Sequence, residues 1–378
     1  MNDKCKIEGK TNGTIMLGDF LACDGQANWN PDTKTGQLFL AISHIHGDHF
    51  NETKVNKTMA YPNKIVPIMS EGTRDLLDVG TNLNLSHEAN HVLKFGKETV
   101  LEASEKSDVQ LKITLKDSKH ILGSSQIQVE EPSGRRYGYS GDFGEGITDF
   151  IDVDTLVLDS TNGTREDFVN WTVDEAIGRL ADEISVAIKA KQKVAIIGAP
   201  GLLQETISKI KNVFDNVNIG TDEFYGNKDI SLIKKYSEVY EKYGFSQPKI
   251  NSSYEADFFG DVETKALFQF GSIHVYLAHN KKDIGFGELE NFKGTVFNLK
   301  NFYRHNDKPL VKRNNTDIWD VSLTSHALGE TILDYVGNVK PELVITDSSR
   351  NERCADSLAK KIKKKLNIDA IPSLEISQ

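Results

Sequence analysis

Two features of the sequence predict a mixed α/β protein: short β-type runs broken by Gly, Asn, Asp and Ser up to about Asp159, and alternating helix and strand patterns beyond it. A third observation excludes a helical membrane protein. The longest apolar runs, such as Leu38–Ile42 and Val194–Ile197, fall far short of the roughly 18 residues a span requires. The polar stretch Met1–Lys10 has no signal-peptide core, so a cytoplasmic protein with no membrane partner is expected.

The elements follow in chain order. Phe39–Ser43, Val109–Thr114, Ser125–Val129 and Leu156–Leu158 read as strands. Asp174–Lys189 then sets Ile177, Leu180, Ile184, Ala187 and Ile188 on one helical face, with Thr172 available as its cap. Val194–Ile197 reads as a buried strand, and Gly198-Ala199-Pro200-Gly201 turns the chain into a helix over about Leu202–Lys211. Asp215–Arg313 is polar, rich in Asn and Lys, and yields no clear pattern. Gly329–Val336 reads as a helix, Leu343–Thr346 as a strand and Ala355–Leu366 as a lysine-rich helix. At 378 residues, with 38% hydrophobic and 26% charged, the chain is long enough for two or three domains. The net charge of −10 argues against a protein that coats nucleic acid indiscriminately, though not against a local basic groove. Cys5, Cys23 and Cys354 are too few and too widely spaced for a disulfide framework or a Cys-x-x-Cys zinc site, so three free thiols are expected.

The chemical signal is Ser43-His44-Ile45-His46-Gly47-Asp48-His49, four metal-competent side chains within six residues of a strand end. Neutral imidazoles suit zinc, and a carboxylate adds the harder ligand a second divalent ion can use. Open sites on β scaffolds collect further ligands from distant loops. His120, before Ile121-Leu122-Gly123-Ser124, and Asp142, in Ser140-Gly141-Asp142-Phe143, both sit where a strand gives way to a turn.

With these residues in place, the chain resembles the β-CASP nuclease branch of the metallo-β-lactamase superfamily. His44, His46, Asp48 and His49 match its His-x-His-x-Asp-His motif, His120 its third-motif histidine, and Asp142 its Ser/Thr-Gly-Asp aspartate. Leu156–Thr161 resembles acidic motif A, with Asp159 as its carboxylate. Val194–Gln204 resembles the strand, turn and helix that open the β-CASP insert, and Leu323–Ala327 resembles motif B, with His326. Leu17–Phe20 with Asp24-Gly25, His120–Gln126 and Gly141–Phe143 lean toward the bacterial ligase-associated DNA exonucleases.

The resemblance implies an αββα metallo-β-lactamase sandwich formed by residues 1–169 and 318–378, with an inserted α/β β-CASP cap over 170–317. It also implies two divalent ions, zinc with Mn²⁺ possible at the second site. His44, His46 and His120 would hold the first, Asp48 and His49 the second, and Asp142 would bridge them. Two ions about 3.5–4 Å apart can share a hydroxide that attacks phosphorus. Asp48 counts with His326 and Asp159 among the catalytic groups, the last two as a general-acid pair. The implied activity is a metal-dependent nuclease acting on DNA, with a role in DNA repair. RNA processing is the alternative, and a non-catalytic nucleic-acid-binding subunit or a small-molecule hydrolase are further readings.

One departure matters. RNA-acting members carry a motif C histidine after a Pro-x-x-apolar strand, but Pro341-Glu342-Leu343-Val344-Ile345-Thr346-Asp347-Ser348 has none. DNA-cutting members also lack it, which tilts the expected substrate toward DNA. Asp347 could replace it at the second metal, or Asp347 and Ser348 could cap a helix starting near Glu352. Arg304, Lys308, Lys312 and Arg313 are candidates for backbone phosphate contact. His87, His91, His274, His279 and His305 read as structural, and the Lys360–Lys365 run as a solvated helix face.

Overall fold

The computed structural model describes residues 5–9, 11–24, 38–59, 65–81, 83, 91–104, 107–163, 171–215, 217, 219–221, 232–252, 275–279, 293–301 and 308–376. The chain divides into two compact units, Met1–Asp167 with Ser325–Gln378, and Phe168–Thr324.

The discontinuous unit is built on two sheets. In the first, β1 (Lys6–Glu8), β2 (Thr14–Leu17), β3 (Leu21–Cys23), β4 (Leu38–Ala41), β5 (Ile65–Ser70) and β6 (His91–Leu93) lie side by side in chain order, parallel from β3 onward. Helices α1 (Glu52–Met59) and α2 (Glu71–Gly80) flank β5 in sequence. The second sheet begins with β7 (Thr99–Ser104), β8 (Ser107–Asp117), β9 (Ser125–Glu130), β10 (Arg136–Tyr139) and β11 (Thr155–Leu158).

The second unit opens on α3 (Val173–Lys189), where Thr172 and Glu175 form a reciprocal capping box that satisfies two first-turn N–H groups. Then come β12 (Val194–Ile197), α4 (Leu202–Lys209), β13 (Ile219–Thr221), α5 (Leu232–Lys242), β14 (Ile250–Ser252), β15 (Val275–Ala278), β16 (Thr295–Lys300), β17 (Leu310–Lys312) and β18 (Ile318–Ser322). Its sheet runs β14-β13-β15-β12-β16-β18-β17 and is parallel except at β17. Among its described residues, the stretch that gave no sequence pattern thus holds α5 and five strands.

The chain returns to the first unit through α6 (Gly329–Val339), β19 (Leu343–Thr346), α7 (Ser348–Leu366) and β20 (Asp369–Pro372). β19 and β20 extend the second sheet beyond β11, giving β20-β19-β11-β10-β9-β8-β7. Strand alternation then sorts side chains into layers. Ile15, Leu17 and Phe39 face Leu111, Ile113, Ile127 and Val157 between the sheets. Met16, Leu40 and Ile42 pack outward with Val55 of α1 and Leu77 of α2. Leu156 and Leu158 pack outward with Ile332 and Val336 of α6 and Leu358 and Ile362 of α7. The result is the expected four-layer αββα order in a mixed α/β fold. The helix expected from Ala355 starts seven residues earlier, because Asp347 caps it at Ser348. Cys5, Cys23 and Cys354 are buried and form no disulfide.

The loop between β8 and β9 is fastened to α2 through one carbonyl. Gly123 O accepts from Ser70 Oγ at 2.6 Å and from Thr73 Oγ1 at 2.8 Å. Gly123 has φ +79°, and a Cβ there would fall 2.2 Å from Thr73 N. Gly123→Ala should therefore lower stability by at least about 1–3 kcal/mol, the cost of the left-handed conformation before the clash is counted. Urea denaturation of variant and parent checks this.

Candidate metal centre

The functional side chains gather at the carboxyl ends of β3, β4, β10, β11 and β19, where loops leave the strands and side chains are released from the sheets. A backbone bond joins the two sheets beside them: Ser125 N donates to Ser43 O at 3.0 Å. Gly141, at φ +58°, lets the chain after β10 pass so close that a Cβ would meet Ser125 O at 2.5 Å. Asp142 follows it.

One oxygen, Asp142 Oδ2, lies 3.6 Å from His44 Nε2, 3.6 Å from His120 Nε2, 3.1 Å from His49 Nε2 and 3.7 Å from His326 Nε2. His120 Nε2 is also 3.1 Å from His46 Nδ1. One donor atom from each of His44, His46, His120 and Asp142 lies within 4.8 Å of the others. A tetrahedral ion with bonds of about 2.0–2.1 Å has ligand atoms about 3.3 Å apart, so this set fits a divalent ion.

Hydrogen bonds away from the centre fix the tautomers. The Ser43 hydroxyl donates its one proton to Asp24 Oδ2 at 2.7 Å, so its contact with His44 Nδ1 at 3.0 Å is an acceptor contact and Nδ1 carries the hydrogen. His44 Nε2 is then a bare lone pair, and it is buried with no hydrogen-bond partner. His120 Nδ1 must donate to the carbonyl of Ser325 at 2.9 Å, which likewise aims the Nε2 lone pair inward. Burial, reinforced by neighbouring imidazoles, holds both His44 and His120 well below the ordinary histidine range. These are neutral imidazoles of the kind a metal requires. Burial opposes ionisation of Asp142, but the imidazoles of His49 and His326 override it and hold the carboxyl well below its usual range.

His326 plays a different part. Its Nδ1 meets Asp159 Oδ2 at 3.0 Å, and Asp159 Oδ1 accepts from Thr161 N at 2.8 Å. Burial disfavours the imidazolium, yet Asp142 and Asp159 outweigh it and raise the pKa to about 9. Asn162 Nδ2 donates to the carbonyls of His326 and Ala327 and pins this segment.

The expected second-metal residues are differently engaged. His49 Nδ1 meets Asp24 Oδ2 at 2.8 Å, while its Nε2 faces both Asp142 and, at 3.2 Å, Arg350 Nε. The Asp48 carboxylate is half exposed, 3.6 Å from His49 Nε2. Asp347 does not stand open to an ion: Oδ1 accepts from Ser349 N and Oγ as the cap of α7, and Oδ2 is paired with Arg350. Asp24 and Arg350 are site residues that the sequence reading assigned no role. A basic residue just beyond the place of the missing histidine was the available signal for Arg350.

Of the proposed phosphate contacts, Arg313 forks onto the buried Asp320 and Lys312 pairs with Asp317, while Lys308 is exposed. Arg304 lies outside the described residues, as do His87, His274 and His305. His91 is in β6. His279 is buried beside Gln204, and burial lowers its pKa to about 4.

No protein-family profile and no curated protein matches this chain. Among solved structures, the metallo-beta-lactamase fold protein YhfI from Bacillus subtilis is similar over 41% of this chain and 63% of that chain, with 14% identity and a TM-score of 0.28. The match thus spans under two thirds of that relative. The described residues thus combine αββα layers with a buried His/Asp cluster suited to a divalent ion. No helix among the described residues is long and apolar enough to cross a membrane.

Asp142→Ala removes the one anionic member of the four-ligand set. Its affinity for zinc should fall at least about tenfold with the helical circular dichroism unchanged. Elemental analysis after gel filtration reads the outcome, and an unchanged zinc content would remove Asp142 from the ligand set.

Proposed function

We propose that this protein is a zinc-dependent phosphodiesterase acting on nucleic acid, with DNA degraded from an end as the first reading and RNA as the second. The observation that carries it is the His326–Asp159 pair at the edge of the metal cluster. His44, His46, His120 and Asp142 would hold a divalent ion, and the chemistry it would supply there is Lewis acidity. The chain's own residues do the rest. The carbonyl of Ser325 and the hydroxyl of Ser43 keep two imidazole lone pairs aimed at one point. His326, protonated at neutral pH, offers the Nε2 proton to the departing sugar oxygen, while Asp159 holds the ring by Nδ1 and stabilises its charge. A sugar alkoxide is a poor leaving group, so a fixed acid beside the scissile bond suits phosphodiester cleavage.

Further support comes from the motif A and motif B resemblance and from the missing motif C histidine, which favours DNA. The complete first-metal ligand set weighs against a non-catalytic subunit. Backbone contact rests chiefly on Lys308 among the described candidates, since Lys312 and Arg313 already have carboxylate partners.

The direct test offers purified protein with Zn²⁺ or Mn²⁺ to end-labelled single-stranded DNA, duplex DNA and RNA, with products sized on a gel. Shortening of DNA from one end supports the first reading, and no cleavage of any of the three refutes the proposal. His326→Ala should lose roughly 10²-fold or more in rate, and Asp159→Asn should behave similarly. The loss should shrink on a substrate whose leaving group needs no proton; an equal loss there would make His326 structural. Because the proton is present below the raised pKa and lost above it, the rate should decline on the alkaline side. A bound cation moves that decline below about 9.

A further inference from the structure

The position facing His49 is already filled by a cation from the chain itself. Arg350 is in the first turn of α7, and its side chain is only 8% exposed. Its Nη1 pairs with Asp347 Oδ2, its Nη2 donates to Asp48 O at 3.3 Å, and its Nε donates to His49 Nε2 at 3.2 Å. These contacts fix three sides of a planar group that is always charged. His49 Nε2, with Asp142 Oδ2 3.1 Å and Asp48 Oδ2 3.6 Å from it, belongs to the set expected to hold a second ion. His49 Nε2 has a single lone pair, directed along the ring plane. An ion bound there would sit about 2.0–2.1 Å out on that axis, in the space the guanidinium Nε–H uses.

We infer that the guanidinium of Arg350 replaces the second metal, so that the centre holds one divalent ion beside a fixed organic cation. The inference rests on the metal-centre reading for the first ion and departs from the two-ion expectation for the second. Its chemical consequence is a change in what meets the substrate's anionic oxygens: hydrogen-bond donors of single charge on one side, a Lewis acid on the other. Asp347 then serves as the counter-charge that keeps Arg350 buried, and Asp24 turns His49 toward it.

The test is metal stoichiometry, read by elemental analysis after dialysis against excess Zn²⁺ and by calorimetric titration of the metal-free chain. Wild type should bind one ion per chain. Arg350→Ala, which vacates the space between His49 Nε2 and Asp347 Oδ2, should bind two. Wild type that takes up two ions overturns the inference while leaving the hydrolase reading intact, and this measurement does not depend on the variant folding. A folded Arg350→Ala that still binds one ion also overturns it. Wild type that binds none refutes the metal reading itself, a result distinguishable from the other two.

Discussion

Everything at this site is arranged around the cost of burying the Asp142 carboxylate. It is 3% exposed, and a carboxylate out of water is stable only among groups that return the lost solvation. Four imidazole nitrogens within 3.1–3.7 Å of one oxygen do this. Those rings come from the end of β4, the loop before β9 and the segment before α6, so a single charge draws together parts of the fold that share no hydrogen-bond ladder. A divalent ion would complete the same scheme, since it would neutralise the carboxylate and use lone pairs that otherwise face one another.

The outward contacts decide what each ring can do. His44 and His120 lean on neutral oxygens, Ser43 Oγ and Ser325 O, and are left as neutral imidazoles. His326 leans on a carboxylate and is left charged. Rings of the same type, a few ångströms apart, thus divide into neutral and charged according to the atom behind them.

The sequence exposed those parts of the site whose chemistry is local. Four ligand-type residues between His44 and His49 need no tertiary knowledge to be noticed, and Thr172 with Glu175 announces a helix start by spacing alone. Asp24 stayed without a role because its value lies in reaching Ser43 and His49 across the β3–β4 pairing. Arg350 was hidden for the same reason, and also because the opening of α7, Ser-Ser-Arg-Asn-Glu-Arg, has no apolar period to mark it as helical. In the second unit, β13 and β14 have three residues each, too few to display alternation, and their strand state depends on parallel neighbours far along the chain.

The separation of these parts has a consequence for biosynthesis. The carbonyl that orients His120 comes from a residue 205 positions later, and the guanidinium against His49 from one 301 positions later. As the chain leaves the ribosome, the first sheet and most of the second emerge long before Ser325, His326 and Arg350. Through that interval His120 lacks its orienting carbonyl and the cluster lacks His326 and the Arg350 guanidinium, while the whole of the second unit is being made. Closure waits on β19 docking beside β11, a long-range parallel pairing of the slow kind. A nascent chain therefore carries an incomplete cluster, without His326 or Arg350 beside it, until it is nearly finished.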